Sequence, residues 1–146
     1  MHVRPFGKNG DLDFCSDLVM QNWGPVAADR CVSQAVESYN DTPWTPKFCV
    51  AEIDMGPVGF AAYQPSMKMK GSFDFIWIAV HPQYQKHKVG TALTDWRIAD
   101  IKRRGGQMIE LVTQKPDYFS RFGFFKLHHL GNEWYLMLKL LANVDI

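Results

Sequence analysis

A carboxylate, a run of cations and a helix start fall close together between Phe73 and Leu93. Phe73-Asp74-Phe75-Ile76-Trp77-Ile78-Ala79-Val80 reads as an apolar strand with one acid in it. Partial burial there would raise the pKa of Asp74 toward the range of a useful base. Alternation with Phe73 and Phe75 equally allows an ordinary solvated face. Pro82 closes the strand, and a polar, basic connection carrying Lys86, His87 and Lys88 follows. Gly90 then stands at the start of an amphipathic run from Val89 to Arg104. The first amides of a helix lack intrahelical partners and form the positive end of its dipole, so such a junction suits a phosphate-bearing ligand. A plain strand-to-helix connection containing a glycine is the alternative on this physics alone.

The elements that must hold these residues can be read from periodicity and punctuation. Met1 to Phe6 contains a short strand. From Asp11, taken as the N-cap, Leu12, Cys15, Leu18, Val19 and Trp23 share a helical face. Gly24-Pro25 breaks that helix and starts another, in which Ala28, Cys31, Val32, Ala35, Val36 and Tyr39 repeat at helical spacing. Phe48 to Ile53, Val58 to Tyr63 and Phe73 to Val80 read as an antiparallel meander, the first bounded by Asp54-Met55-Gly56. In the next helix Val89, Ala92, Leu93, Trp96 and Ala99 form the apolar face. Arg97, Lys102, Arg103 and Arg104 lie toward its C-terminal half, where cations complement the dipole. Gly105-Gly106 stops it. Met108 to Thr113 is a strand parallel to the one before that helix. Pro116 to Phe122 is a short helix, and Phe124 to Leu130 and Trp134 to Leu140 are strands joined at Gly131-Asn132.

Val80-x-Pro82-x-Tyr84-Gln85-x-x-x-x-Gly90-Thr91-Ala92-Leu93 resembles the acetyl-CoA signature of the GNAT superfamily of N-acetyltransferases. Gln85 and Gly90 match that signature, and Lys88 takes the place of its middle glycine. The element order β-α-α-β-β-β-α-β-α-β-β is also similar to that family, so the resemblance covers nearly the whole chain. It implies an α/β (α+β) fold in one domain, residues 1–146: a mixed central sheet of about seven strands flanked by four helices. It further implies that backbone of Ile78, Ala79 and Val80 pairs with the pantetheine arm, and that Lys86, His87, Lys88, Val89, Gly90 and Thr91 surround the pyrophosphate. The family's two N-terminal helices shape the acceptor pocket.

Acyl transfer to an amine needs a base for the ammonium proton, a donor for the thioester oxygen and an acid for the departing thiolate. Several members of the family place a catalytic glutamate where Asp74 stands. Glu110 is the rival, by similarity to ribosomal-protein acetyltransferases, and His81 is a third candidate. The family's acid is the tyrosine of Phe/Tyr-Tyr-x-x-x-Gly-Phe. Here the segment is Tyr118-Phe119-Ser120-Arg121-Phe122-Gly123-Phe124, so Phe119 holds that position and can pack against the cofactor arm. Tyr118 carries the hydroxyl one residue earlier, turned by about 100°. It is the candidate acid.

The expected activity is therefore transfer of an acetyl group from acetyl-CoA to a primary amine, on a small molecule or a peptide, within a ternary complex. A non-catalytic CoA-binding or interaction module, and a transferase using another acyl donor, are the alternatives. The chain has 146 residues and a formal net charge of +1, which gives no footprint for general nucleic-acid binding. Its 3 cysteines, Cys15, Cys31 and Cys49, have no CxxC spacing, so free thiols in a reducing cytoplasm are expected and a metal site is not. His128-His129 on a strand would point two ways and makes a poor metal pair. No apolar leader or membrane-length apolar run is present in the sequence, so no membrane association is expected. A homodimer is left open.

Overall fold

A computed structural model describes residues 1–7, 9–54 and 56–141. Met55, in the turn expected after the first meander strand, lies outside the described residues. The elements run β1 (His2–Pro5), α1 (Asp11–Trp23), α2 (Pro25–Ser38), β2 (Lys47–Ile53), β3 (Gly56–Pro65), β4 (Ser72–Val80), a 3-10 turn (Pro82–Tyr84), α3 (Val89–Arg103), β5 (Met108–Thr113), α4 (Pro116–Ser120), β6 (Phe125–Gly131) and β7 (Trp134–Leu140). This is the expected order, and the 7 strands line up as β1-β2-β3-β4-β5-β7-β6. The chain forms two compact units. One comprises Met1–Gln64 and Ile76–Ile98, the other Pro65–Phe75 and the described residues from Ala99 onward.

In the first unit β1, β2 and β3 pair antiparallel, with a bulge between Ala51 and Glu52. The His81 amide donates to Val58 O at 2.8 Å, tying the end of β4 to the start of β3. Strands buried on both sides read as continuous apolar runs, as β2 and β3 do. Cys15, Leu18, Val19, Ala28, Cys31 and Ala35 of α1 and α2 pack with Phe48, Phe60, Ala62 and Ala79. Val89 and Leu93 of α3 pack with Cys49, Ala51, Val58 and Ala61. Pro25 occupies the first turn of α2, where its missing N–H is not needed.

Three readings of the helices are corrected. The N-cap of α1 is Gly10, and Asp11 is instead the buried first helical residue. Its carboxylate takes two bonds from the Arg4 guanidinium, at 2.9 and 3.0 Å, and one from the Gly7 amide at 3.0 Å. That ion pair uses the Asp11 oxygens that a capping role would have turned to α1. Trp23, Val36 and Tyr39, expected on the apolar faces, are about half exposed, although the Trp23 ring still lies 5.9 Å from that of Trp77. On α3 the expected places are exchanged: Ala99 is exposed while Arg97 is 1% exposed. The buried stripe is Leu93, Thr94, Arg97, Ile98 and Ile101. A guanidinium bonded to backbone satisfies its donors there, which a charge count cannot foresee.

In the second unit the start of β4 pairs parallel with β5 at Ser72↔Met108, Phe73↔Ile109 and Asp74↔Glu110. Further along β5, β7 and β6 pair antiparallel. Ile109, Leu111 and Met137 are buried, and Phe75 packs on Phe124 with ring centroids 5.6 Å apart. α4 is shorter than expected, because Gly123 at φ 89° bends the chain away in a left-handed conformation that suits glycine. The β6–β7 turn falls on Asn132 and Glu133, at φ 48° and 66°, one residue later than expected. Paired positive φ values fit a two-residue hairpin turn whose twist matches the strands. β6 is the last strand in the order, and all of its residues are exposed.

Candidate active site

Within the first unit, β4, the loop after it and the start of α3 bring together the residues expected to hold a cofactor. Ala79 is buried, and Ile78 and Val80 are half-buried. The Gln85 side-chain Nε2 donates to Val80 O at 3.3 Å, folding the loop back on the strand end. His87 Nδ1 lies 3.1 Å from Gln85 O, and the His87 amide donates to Tyr84 O at 3.3 Å. Lys86 and Lys88 both adopt left-handed backbone, at φ 70° and 63°. Lys88 thus keeps the backbone that a glycine would adopt most readily, at a strain of about 1 kcal/mol or more. The first bond of α3 in this turn runs from the Ala92 amide to Lys88 O at 3.0 Å. The amides of Val89, Gly90 and Thr91 precede it, at the positive end of the helix dipole. Two cations and a helix start therefore share one exposed loop, an arrangement able to receive phosphate.

His81 belongs to this loop, but as a cap. Its Nδ1 accepts from the Gln83 amide at 3.2 Å, and its ring meets that of Tyr84 edge-on at 5.9 Å. A ring nitrogen engaged in this way is a weaker base candidate than Asp74 or Glu110.

Those two lie in the second unit, directly opposite one another in the β4–β5 ladder. Burial pushes the Asp74 carboxyl above its ordinary value of 3.8, and the adjacent Glu110 carboxylate pushes it further. Hydrogen bonding to Glu110 adds to the rise, and the Lys68 charge draws it back in part. Two carboxyls can bond each other only through a shared proton. Asp74 Oδ1 is buried and has no hydrogen-bond partner among the described residues. The alternation that could have placed Asp74 on a solvated face thus leaves it half-buried beside a like charge.

Tyr118 and Phe119 lie on α4 in the same unit. Their rings meet edge-on at 4.9 Å, and Phe119 also meets Phe124 at 5.8 Å. The Arg121 guanidinium carbon sits 4.9 Å above the Tyr118 ring. The Tyr118 hydroxyl is buried without a hydrogen-bond partner among the described residues. A buried orphan hydroxyl is unfavourable by about 1–3 kcal/mol unless something accepts from it, so it is a donor available to a ligand.

Two further features escaped sequence reasoning. The Trp77 indole N–H donates to Gln34 Oε1 at 2.6 Å, fixing an aromatic on β4 from α2. The position of Arg97, four residues after Leu93 on α3, was the available signal for its burial, and its charge masked it. Among the described residues no group of three or more His, Cys, Asp or Glu could hold a metal ion, and Cys15, Cys31 and Cys49 are buried thiols. Among the same residues no helix is long and apolar enough to cross a membrane.

A family model described as an acetyltransferase (GNAT) domain matches residues 44–126. No curated protein sequence matches the chain. Among solved structures, an aminoglycoside 6'-N-acetyltransferase complexed with coenzyme A is similar at a TM-score of 0.81 and 18% identity, over 99% of this chain and 100% of that one. The aminoglycoside 6'-N-acetyltransferase from Enterococcus faecium gives 0.79 and 18%, over 99% and 100%. A PaiA N-acetyltransferase from Thermoplasma acidophilum, in complex with coenzyme A, gives 0.77 and 14%, over 97% and 100%. At these identities the likeness shows the fold.

Proposed function

The chain belongs to the GNAT family of acetyltransferases, and on that premise we propose that residues 1–146 act as one transferase domain, moving an acetyl group from acetyl-CoA to a primary amine by direct transfer. The observation that carries this reading is the loop from Gln85 to Thr91. It keeps left-handed backbone at Lys86 and Lys88 where only glycine is unstrained, and it leads into the amides of α3. Strain held at a loop of this kind is what a ligand-binding conformation would require. Lys86, His87 and Lys88 would meet the pyrophosphate by charge, and Gln85 and Val89 to Thr91 by loop and helix-start backbone. Ile78, Ala79 and Val80 would pair through their main chain with the pantetheine arm, as an extended ligand adds to a strand.

In the reaction, the Asp74–Glu110 pair takes the ammonium proton, through water, with Asp74 as the base. Its raised pKa brings it nearer to the amine it must deprotonate. The amine then attacks the thioester carbon, the carbonyl oxygen takes up charge against a β4 amide, and the carbon–sulfur bond breaks. Tyr118 donates its orphan hydroxyl proton to the departing thiolate and regains one, through water, from the nitrogen, which sheds its second proton as the amide forms, while Phe119 packs along the arm. The acceptor is an amine on a small molecule or peptide, and the cytoplasm is the compartment consistent with three reduced thiols.

Isothermal titration with acetyl-CoA tests the cofactor, and no binding at millimolar concentration would sink the proposal. Thiol release on mixing with acetyl-CoA and a panel of amines tests the reaction. Binding without release from any amine would favour the non-catalytic CoA-binding module.

A further inference from the structure

Arg97 is the largest of the fully buried side chains, 1% exposed in the middle of α3. Its Nη1 donates to two strand carbonyls, Ala62 O on β3 at 3.0 Å and Trp77 O on β4 at 3.4 Å. Nε donates to Leu93 O and Nη2 to Thr94 Oγ1, each at 3.4 Å. An arginine cannot escape burial by giving up its proton, and taking its charge out of water is unfavourable by several kcal/mol before its bonds are counted. Simple helix-to-strand packing needs no such group, since Leu93 and Ile101 fill neighbouring positions of the same stripe with hydrocarbon. What Arg97 adds is a cation whose donors converge on main-chain oxygens.

One of those oxygens belongs to a peptide group with a second polar end. The carbonyl of Trp77 and the amide of Ile78 are two ends of one conjugated unit. A positive charge bonded to the oxygen draws electrons along that unit and makes the N–H a stronger donor. It also restrains the tilt of the peptide plane, and so the direction in which the N–H points. We propose that Arg97 is a positioning residue for the Ile78 amide, holding it and polarising it toward the carbonyl oxygen of a bound thioester. This rests on the reading of β4 as the acyl-donor strand. Donors fixed in advance on developing charge do most when they need not reorient during the reaction.

The test is infrared spectroscopy of bound acetyl-CoA labelled with carbon-13 at the thioester carbonyl, in wild type and Arg97→Met. Wild type is expected to lower the carbonyl stretch relative to free acetyl-CoA, and the variant to lose most of that shift. CoA affinity should change little in the variant, and KM likewise, while kcat drops toward the hundredfold or so seen on losing an oxyanion donor. Arg97→Lys, which keeps charge at the site, should recover part of the shift. A wild-type protein that binds no acetyl-CoA overturns the functional reading and this inference with it. Wild type and Arg97→Met showing the same shifted stretch overturns the role of Arg97 alone. Should Arg97→Met fail to fold, the wild-type protein still decides by nuclear magnetic resonance. The Ile78 amide proton should lie downfield of those of Ala79 and Val80, and move further with acetyl-CoA than with CoA. An Ile78 proton that does neither overturns the proposal.

Discussion

Asp74 and Glu110 face each other across the parallel ladder of β4 and β5, and theirs is the last pair of that ladder. Two acids in register repel, and partial burial denies them the water that would screen them. The arrangement holds a proton at pH values where an exposed aspartate would have released it.

Asp74→Asn should lower turnover by about a hundredfold or more, the scale of a lost general base, with acetyl-CoA affinity nearly unchanged. Its effect on stability should depend on pH. The folded state binds the Asp74 proton more tightly than the unfolded state does, so wild-type stability falls as pH rises from the ordinary value of 3.8 through the raised folded one. The asparagine does not titrate. Thermal melts should therefore show the variant gaining on wild type between acid and neutral pH, and parallel curves would count against a perturbed Asp74.

Glu110→Gln separates the two acids. Removing its charge lowers the pKa of Asp74, so the acid limb of the kcat/KM profile should move to lower pH while a limb remains. Loss of the limb altogether, with Asp74→Asn retaining it, would make Glu110 the base.

Replacing Lys86 and Lys88 together by glycine keeps the left-handed backbone and removes the charge. Acetyl-CoA binding should weaken by about tenfold and lose much of its salt dependence, because the loop charges lie in solvent, where screening operates. The fold should not suffer: relief of strain is offset by the freer unfolded chain to within about 1 kcal/mol. Unchanged affinity at low salt would show that the loop does not meet phosphate.

Tyr118→Phe removes a buried hydroxyl that has no partner among the described residues. Stability should rise by up to about 1 kcal/mol while turnover falls, the usual opposition of stability and activity at a site. Denaturant titration and steady-state rates read the two effects separately. A variant both less stable and fully active would assign the hydroxyl a structural role.

What the sequence made legible follows from punctuation. Gly24-Pro25 and Gly105-Gly106 placed helix ends to within a residue or two, and continuous apolar runs bounded by turn residues placed the strands of the meander. The residues misjudged are those whose neighbours come from elsewhere in the chain. Arg97 reads in sequence as one of the cations that complement the helix dipole, yet carbonyls of β3 and β4 receive it. Asp11 was assigned to a cap, yet Arg4 claims its carboxylate. At Lys88 the comparison with a glycine pattern raised the right question, and only backbone angles could show that the lysine adopts glycine's conformation. The Asp74–Glu110 register likewise depends on which strands become neighbours, which no local pattern encodes.

β6 carries a consequence for handling the protein. It is the last strand in the order, and Phe125, Leu127 and Leu130 on it are each about half exposed, at 45%, 54% and 50%. A terminal strand with apolar side chains is a template on which a second chain can crystallise its own hydrogen-bond ladder. The register shifts between Lys126 and His128 and between His129 and Gly131 interrupt that template, and Lys126 adds a charge to it. Colloidal behaviour thus depends on a few irregular residues far along the chain from the signature loop. Straightening them would yield a protein that folds as before and keeps poorly in solution.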